Sequence, residues 1–233
     1  MSDRPIPPAL AQDVDWLLGR LPALCPEAAP GLVAGWGEQI LHYVSLLYAW
    51  SGHINLVSGR DRLALASRHV LPSLAMRTVL LRFPHRIVAD LGSGSGLPGV
   101  PLKISLPQVP FQLIEARRRR ANFLREVSRR LSLEPVEVVN RRVEDWDCAE
   151  SQKPDIIVSR AVMAPDLLAS CCARLLRPGG HVLFALTSSA PEEVAEGSNA
   201  PLILETGIED HEGRHIRIGM LRPDLPPPDK THW

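Results

Sequence analysis

Ile87-Val88-Ala89-Asp90-Leu91-Gly92-Ser93-Gly94-Ser95-Gly96-Leu97-Pro98-Gly99-Val100-Pro101-Leu102 is the stretch on which the fold turns. Apolar and small residues run into Asp90, glycines follow at alternate positions (Gly92, Gly94, Gly96), and an apolar helix-like segment opens near Pro98. That order reads as a strand, a tight loop and a helix start. Glycine lets the backbone take positive φ and lets a ligand approach the main chain, while a helix N-terminus offers free N–H groups. Pro98 and Pro101 fall in the first turn or so of the helix, where a missing N–H is tolerated. The first reading of the loop is a site for a nucleotide-like ligand.

Downstream, strand and helix patterns alternate. Residues 86–91 read as strand, 98–106 as helix, 110–116 as strand, 117–131 as helix, 135–140 and 154–158 as strands and 164–176 as helix, with a strand over 181–186 after the turn Arg177-Pro178-Gly179-Gly180. Such alternation implies parallel βαβ units with helices on both faces, an α/β doubly wound sheet. Two late apolar runs, 202–205 and 215–221, suit an antiparallel closing pair. The polar, small-residue loop 187–200 is a candidate lid. The tail from Arg222 carries four prolines and reads as loosely ordered.

Upstream, residues 10–21 suit a short amphipathic helix before a break at Pro22 to Pro30. Over 32–51, Val33, Trp36, Ile40, Tyr43, Leu47 and Trp50 recur at helical spacing, an inward-packing stripe. After Gly52 the segment Asn55 to Asp61 is turn-like, and a second helical piece carries Arg68, His69, Leu71 and Leu74. The expected organisation is a helical N-terminal extension over 1–85, an α/β ligand-binding domain over 86–222 and a proline-rich tail over 223–233.

The chain has 233 residues, 45% of them hydrophobic, enough to bury a substantial core. Its formal net charge of zero argues against RNA binding by bulk charge and leaves only local basic patches for that role. No stretch approaches the roughly 20 apolar residues of a membrane span, and Asp3, Pro5, Pro7 and Pro8 do not form a signal-peptide pattern, so the expected location is cytoplasmic with no membrane partner. Cys25, Cys148, Cys171 and Cys172 form no C-x-x-C pair and have no histidines at zinc spacing, so neither a metal site nor a disulfide framework is expected, and buried free thiols are the plain reading.

Gly94 to Gly99 matches the dinucleotide pattern G-x-G-x-x-G, but Asp90 at the strand end disfavours an anionic pyrophosphate. The fuller pattern D-x-G-x-G-x-G suits S-adenosylmethionine, which carries a sulfonium and an ammonium and no phosphate. Glu115 ends the next strand about 20 residues on, where an acid accepts hydrogen bonds from both ribose hydroxyls; capping of the following helix is the alternative. The segment Asn140-Arg141-Arg142-Val143-Glu144-Asp145 follows the third strand, where backbone groups near Val143 and Glu144 can read an adenine edge. Arg160 ends the fourth strand, beside the place of the methyl group; an ion pair with a nearby acid is the alternative. Arg118, Arg125 and Arg129 share one face of the 117–131 helix, opposite Phe123, Leu124, Val127 and Leu131, and both a solvated surface and an RNA phosphate track fit it.

These residues together resemble the RsmG (GidB) family of ribosomal small-subunit RNA methyltransferases. The similarity spans about residues 36–219 and rests on Asn55-Leu56-Val57-Ser58-Gly59-Arg60-Asp61, Arg68-His69-Val70-Leu71, Asp90 to Leu102, Phe123-Leu124-Arg125, Arg142-Val143-Glu144, Ser159-Arg160-Ala161 and Arg214-His215. The run Gly96 to Leu102 is its most specific part. The resemblance implies a class I methyltransferase fold, Rossmann-like, with a mostly parallel seven-stranded sheet and an antiparallel C-terminal strand. It implies S-adenosyl-L-methionine as cofactor and, as acceptor, N7 of a guanine (position 527, in the 530 loop) of 16S rRNA in the 30S subunit or its assembly intermediates. It assigns Asp90, Gly92, Ser93, Gly94, Gly96, Leu97, Glu115, Ala116, Val143, Glu144 and Arg160 to the cofactor. Asn55 and Arg160 would orient the guanine, and Arg142 and Arg214, with Arg118 and Arg125, would contact RNA.

Guanine N7 has a lone pair and no proton to lose, so direct displacement needs no strong base, consistent with the absence of an Asn/Asp-Pro-Pro-aromatic run. Two positions depart from the family pattern: Thr187 follows Ala185-Leu186 where lysine is common, and Pro72 stands where aspartate is common after Arg-His-x-Leu. Taken without the resemblance, the residues also admit a small-molecule or protein methyltransferase, a non-catalytic donor- or RNA-binding module, or a nicotinamide-dependent oxidoreductase.

Overall fold

The sheet is built on β1 (Val88–Leu91), with β2 (Phe111–Ile114) on one side and β4 (Ile156–Ser159) on the other, both parallel to it. β3 (Val136–Val139) extends it beyond β2, and β5 (His181–Ala185) beyond β4. β7 (His215–Leu221) runs antiparallel to both β5 and β6 (Leu202–Glu209), giving the order β3-β2-β1-β4-β5-β7-β6. The seven-stranded, mostly parallel sheet is therefore as expected, with both late strands in the antiparallel pair and β6 longer than its apolar run. The computed structural model describes residues 6–160, 165–185, 202–210 and 212–223. The expected lid at 187–200, Thr187 itself, Ala161, and the tail beyond Pro223 lie outside the described residues.

Strict alternation along the parallel strands explains why both faces are covered. Val88, Ile156, Val158 and Leu183 join one apolar cluster with Met76, Val79 and Leu80 of α4 (Leu71–Leu80) and Leu102 of α5 (Gly99–Ser105). Their neighbours Ala89, Ile157, Val182 and Phe184 pack on the other face with Leu168 and Cys172 of α7 (Pro165–Ala173) and with Trp146. Sheets of parallel strands bury both sides, and successive side chains serve opposite layers. Of the four thiols, expected to be buried, Cys25 and Cys172 are buried while Cys148 and Cys171 are only half-buried.

The N-terminal helices α1 (Pro8–Leu18), α2 (Leu21–Leu24) and α3 (Pro30–Trp50) share a cluster with the loop and helices after β1 and β2. Val33, Trp36, Ile40, Tyr43 and Leu47 of the α3 stripe are buried there with Leu97, Val100, Phe123 and Leu124 of α5's approach and α6 (Arg118–Arg130). Trp50 meets Phe123 with ring centroids 5.5 Å apart. The single helix expected over 10–21 is two: α1 stops before Gly19, and Pro22, which supplies no N–H, stands in the first turn of α2, where none is needed. Pro72 has a comparable effect. The helix entering α4 opens into a π-helical turn over Ala66–Val70, in which the Leu71 N–H bonds the Ala66 carbonyl, because proline cannot continue the donor ladder.

β5 and β7 meet at one close point: Gly219 pairs with Phe184, and a Cβ there would stand 2.3 Å from the ring. Gly219→Ala is expected to lower stability by about 1–3 kcal/mol through overpacking, read as a drop in the denaturant midpoint with an unchanged slope.

Candidate active site

The strand order reverses between β1 and β4, and the crevice at their carboxyl ends is where such sheets bind ligands. Asp90 pairs with Val158, and Leu91 with Ile114, so one step beyond the strands Gly92, Glu115 and Arg160 stand along the same rim. Gly92, Gly94 and Gly96 have φ of +69°, +55° and +88°, values that favour glycine. The loop is stitched to its own surroundings: Ser93 N–H donates to the Ile114 carbonyl at 2.9 Å, Ser93 Oγ to the Asp90 carbonyl at 2.9 Å, and Gly94 N–H to Glu115 Oε2 at 2.9 Å. The α5 N-terminus is held by Gly99 N–H, which donates to Asp90 Oδ2 at 3.1 Å. A Cβ at Gly99 would lie 2.6 Å from that oxygen, so only glycine allows this approach.

Asp90 therefore serves its own chain first. The carboxylate is fully buried, with Oδ1 unpartnered among the described residues. Burial pushes its pKa up to about 7, against the Gly99 N–H, Ser93 and the Arg160 charge, which act to lower it. Glu115 combines both readings of it: Oε2 holds Gly94 N–H, and Oε1 accepts the Arg117 N–H at 2.6 Å just before α6. The side chains of Ser93 and Leu97 are buried, at 1% and 2% exposure, Leu97 within the cluster that includes Val100. Only their main chain can face a ligand, because the tight loop turns both side chains inward.

Two further turns complete the rim. Asn140 Nδ2 donates to the carbonyls of Glu115 and Ala116 at 2.8 and 3.0 Å, and Arg174, just after α7, donates to the carbonyls of Val143, Glu144 and Trp146. The Arg174 bonds fix the Val143–Glu144 backbone that the sequence assigned to the adenine side, and the Asn140 bonds fix the turn of Glu115, assigned to the ribose. Neither Asn140 nor Arg174 was singled out for this from sequence, since a side chain's bond to a distant carbonyl leaves no spacing pattern.

The N-terminal segment also reaches the rim. Tyr43 Oη donates to the Ser95 carbonyl at 2.8 Å within the glycine loop, and burial pushes the Tyr43 pKa far up. Arg120 Nη2 donates to the Asn55 carbonyl at 2.8 Å, while its Nη1 lies 3.7 Å from where a Gly94 Cβ would stand. The exposed Asn55 is thus brought beside the glycine loop, as a site residue must be. Arg160 is hydrogen-bonded through Nη1 to His69 Nδ1 at 3.0 Å. Among the described residues no carboxylate forms an ion pair with Arg160, the alternative considered for it.

Arg142, Arg118 and Arg125 are exposed, with Arg125 bonded to Asn122 Oδ1 at 3.0 Å. Arg214 is not free: it pairs with Asp210 at 2.7 Å and Glu212 at 2.8 Å across the β6–β7 turn. Among the described residues no group of three or more His, Cys, Asp and Glu side chains is placed to hold a metal, and no helix is long and apolar enough to cross a membrane.

Residues 37–211 match the family described as rRNA small subunit methyltransferase G. The chain belongs to that family. It is 36% identical over 197 residues to the ribosomal RNA small subunit methyltransferase G of Stenotrophomonas maltophilia, covering 84% of this chain and 86% of that one. The corresponding Chloroflexus aggregans protein is 34% identical over 180 residues, covering 76% and 75%. The fold is shared more widely. The O-methyltransferase TomG of Streptomyces achromogenes, solved in complex with SAM, superposes with a TM-score of 0.51 at 16% identity over 79% of this chain and 88% of that one. The 1,6-didemethyltoxoflavin-N1-methyltransferase of Burkholderia thailandensis, solved with S-adenosylhomocysteine, gives 0.50 at 16% identity over 84% and 90%.

As a member of the methyltransferase G family, the protein is an S-adenosylmethionine-dependent rRNA methyltransferase. Its residues fit that donor. At Gly92 nothing lies within 4 Å of a Cβ position, so the main chain is open there, and the unpartnered Asp90 oxygen supplies negative potential beneath the loop. Glu115 retains lone pairs beyond the two N–H groups it holds.

Two measurements check these assignments. Tyr43→Phe leaves the Ser95 carbonyl without its partner, and a loss of about 1–3 kcal/mol is expected in denaturant unfolding, with weaker donor binding by calorimetry. For Asp90, the folded state holds the proton more tightly than the unfolded chain. Its contribution therefore falls as pH rises from the ordinary carboxylate pKa of about 3.9 through about 7. Asp90→Asn is expected to flatten the donor-free protein's loss of stability between about pH 4 and 7, measured by thermal unfolding.

Proposed function

We propose that the protein methylates N7 of a guanine in the 530 loop of 16S rRNA, in the cytoplasm, on the 30S subunit or an assembly intermediate. Family membership supports the rRNA substrate. The observation that carries the choice of N7 is that the carboxylates of the rim hold backbone N–H groups, Glu115 two and Asp90 one, with the second Asp90 oxygen buried beneath the loop. His69, hydrogen-bonded to Arg160, has its pKa pushed down to about 4, first by burial and next by the Arg160 charge, and so does not serve as a strong base. An acceptor that loses no proton suits such a rim.

Bound S-adenosylmethionine supplies an electrophilic methyl group on sulfur. Asp90, the glycine loop, Glu115, Ala116 and the Val143–Glu144 backbone hold it at the crevice. Arg160, with Asn55 across the rim, orients the guanine through its O6 acceptor, leaving the N7 lone pair free to form the bond to the methyl carbon as the carbon–sulfur bond breaks. Arg142, Arg118 and Arg125 contact phosphate, and Arg214 does so once a phosphate competes with Asp210 and Glu212. Catalysis then comes from alignment and exclusion of water. In a regular A-form duplex the base edge bearing N7 lies in a deep, narrow groove, so the target base must be unpaired or distorted.

Mapping methylated nucleotides in 16S rRNA from cells with and without the gene is expected to show loss of a single N7-methylguanine; an unchanged pattern refutes the assignment. Arg160→Ala is expected to retain donor binding within about tenfold while transfer falls about 100-fold or more, the scale of one lost transition-state donor. Naked duplex RNA is expected to be a poor substrate beside 30S particles.

A further inference from the structure

The segments Ser58 to Asp61 and Arg68-His69 are distant from the donor loop in sequence, and the donor site does not account for them. They meet at one point. Asp61 Oδ2 accepts from Ser58 Oγ at 2.9 Å and its Oδ1 accepts from Arg68 Nη1 at 3.0 Å, while His69 Nε2 stands 3.4 Å from Oδ2, close enough for an electrostatic contact but outside hydrogen-bond geometry. On its other side His69 Nδ1 meets Arg160 Nη1 at 3.0 Å, across 91 residues of chain. We propose that His69 is a positioning residue that holds the Arg160 guanidinium toward the acceptor base, with the Asp61 carboxylate facing the ring from behind.

The hydrogen-bond roles follow from the groups themselves. A guanidinium has donors and no acceptor, so His69 Nδ1 accepts and the ring proton resides on Nε2, the nitrogen that faces Asp61. Burial and the Arg160 charge keep the ring neutral at neutral pH, which preserves that acceptor. Ser58 and Arg68 hold the Asp61 pKa down despite the opposing effect of its burial, so the far end of the row is anionic.

The ring's support is rigid as well. His69 lies in the π-helical turn, whose leading N–H groups at Ala66 and Ser67 are held by Asp13 of α1 at 2.7 and 3.3 Å, and the His69 carbonyl accepts from Ser73 Oγ at 2.8 Å. Arginine has many rotamers, and an unheld guanidinium at the rim would sample many of them. An acceptor fixed by α1 and the π turn restricts it to one direction, which is what alignment of an acceptor base requires.

The proposal rests on the reading of Arg160 as the acceptor-orienting group, and the test separates the two. Methyl transfer to 30S subunits from cells lacking the enzyme is measured at saturating donor for His69→Leu, His69→Asn, Arg160→Ala and the His69→Leu/Arg160→Ala pair. Donor Kd and unfolding midpoint are measured on each. His69→Leu is expected to lower kcat about tenfold or more with donor Kd unchanged. His69→Asn, which offers an oxygen near the Nδ1 position, restores most of it. His69→Leu adds nothing in the Arg160→Ala background.

In the donor-free protein, histidine nitrogen NMR is expected to show the Nε2–H tautomer of His69, with the Nδ1 resonance moving in Arg160→Ala. An active His69→Leu, an Asn variant as poor as Leu, or additive losses in the pair overturn the role of His69. Full activity of Arg160→Ala overturns the Arg160 reading instead. If His69→Leu does not fold, Asp61→Asn takes its place: a lowered kcat that disappears in the Arg160→Ala background supports the row, and unchanged kcat overturns it.

Discussion

The bond from Gly99 N–H to the Asp90 carboxylate, 3.1 Å long and buried, is the constraint from which the site's geometry follows. It draws the first turn of α5 onto the end of β1, which forces the intervening chain into a loop too short for ordinary dihedrals. Hence three glycines stand at positive φ, and a fourth, Gly99, has no room for a Cβ. The same bond leaves the second oxygen of Asp90 buried without a partner among the described residues and raises the question of its charge. A buried acid in this position gives up stability on ionising, so a cationic ligand above the loop offsets part of that cost.

Everything else at the rim steadies this loop or faces it. Tyr43 ties the loop to α3, Arg120 ties the Asn55 turn to α6, and Asn140 and Arg174 pin the two turns that follow β2 and β3. The N-terminal helices are thus bonded into the crevice, and they also share an apolar cluster with the loop and α6. One consequence is that acceptor-side and donor-side residues are set by a single packed unit. The bonds involved are individually worth about 1 kcal/mol, and their value lies in direction more than in energy.

Much of this was legible in the chain. The alternation of strands and helices led to the doubly wound sheet, and the stripe from Val33 to Trp50 led to α3, because each depends on the period with which residues face a core. The inward role of that stripe was visible, but Tyr43's hydroxyl was not, since periodicity reports which side chains enter the core and not what their polar ends meet there. Leu97 and Ser93 were assigned to the cofactor with the loop as a whole, yet their side chains are buried. The ion pairs of Arg214 with Asp210 and Glu212, four and two residues away, add a competition that the resemblance to a phosphate-contacting position does not show.

By itself, then, the sequence determined the glycine loop, the acid at the carboxyl end of each of the first two strands, the arginine after the fourth and the class of donor. These depend on dihedral limits and face alternation, which a few adjacent residues encode. Only the tertiary structure decided that Tyr43 closes on Ser95 and that His69 meets Arg160, pairs 52 and 91 residues apart. Such meetings depend on strand register and helix packing summed over the whole fold, so no local pattern carries them.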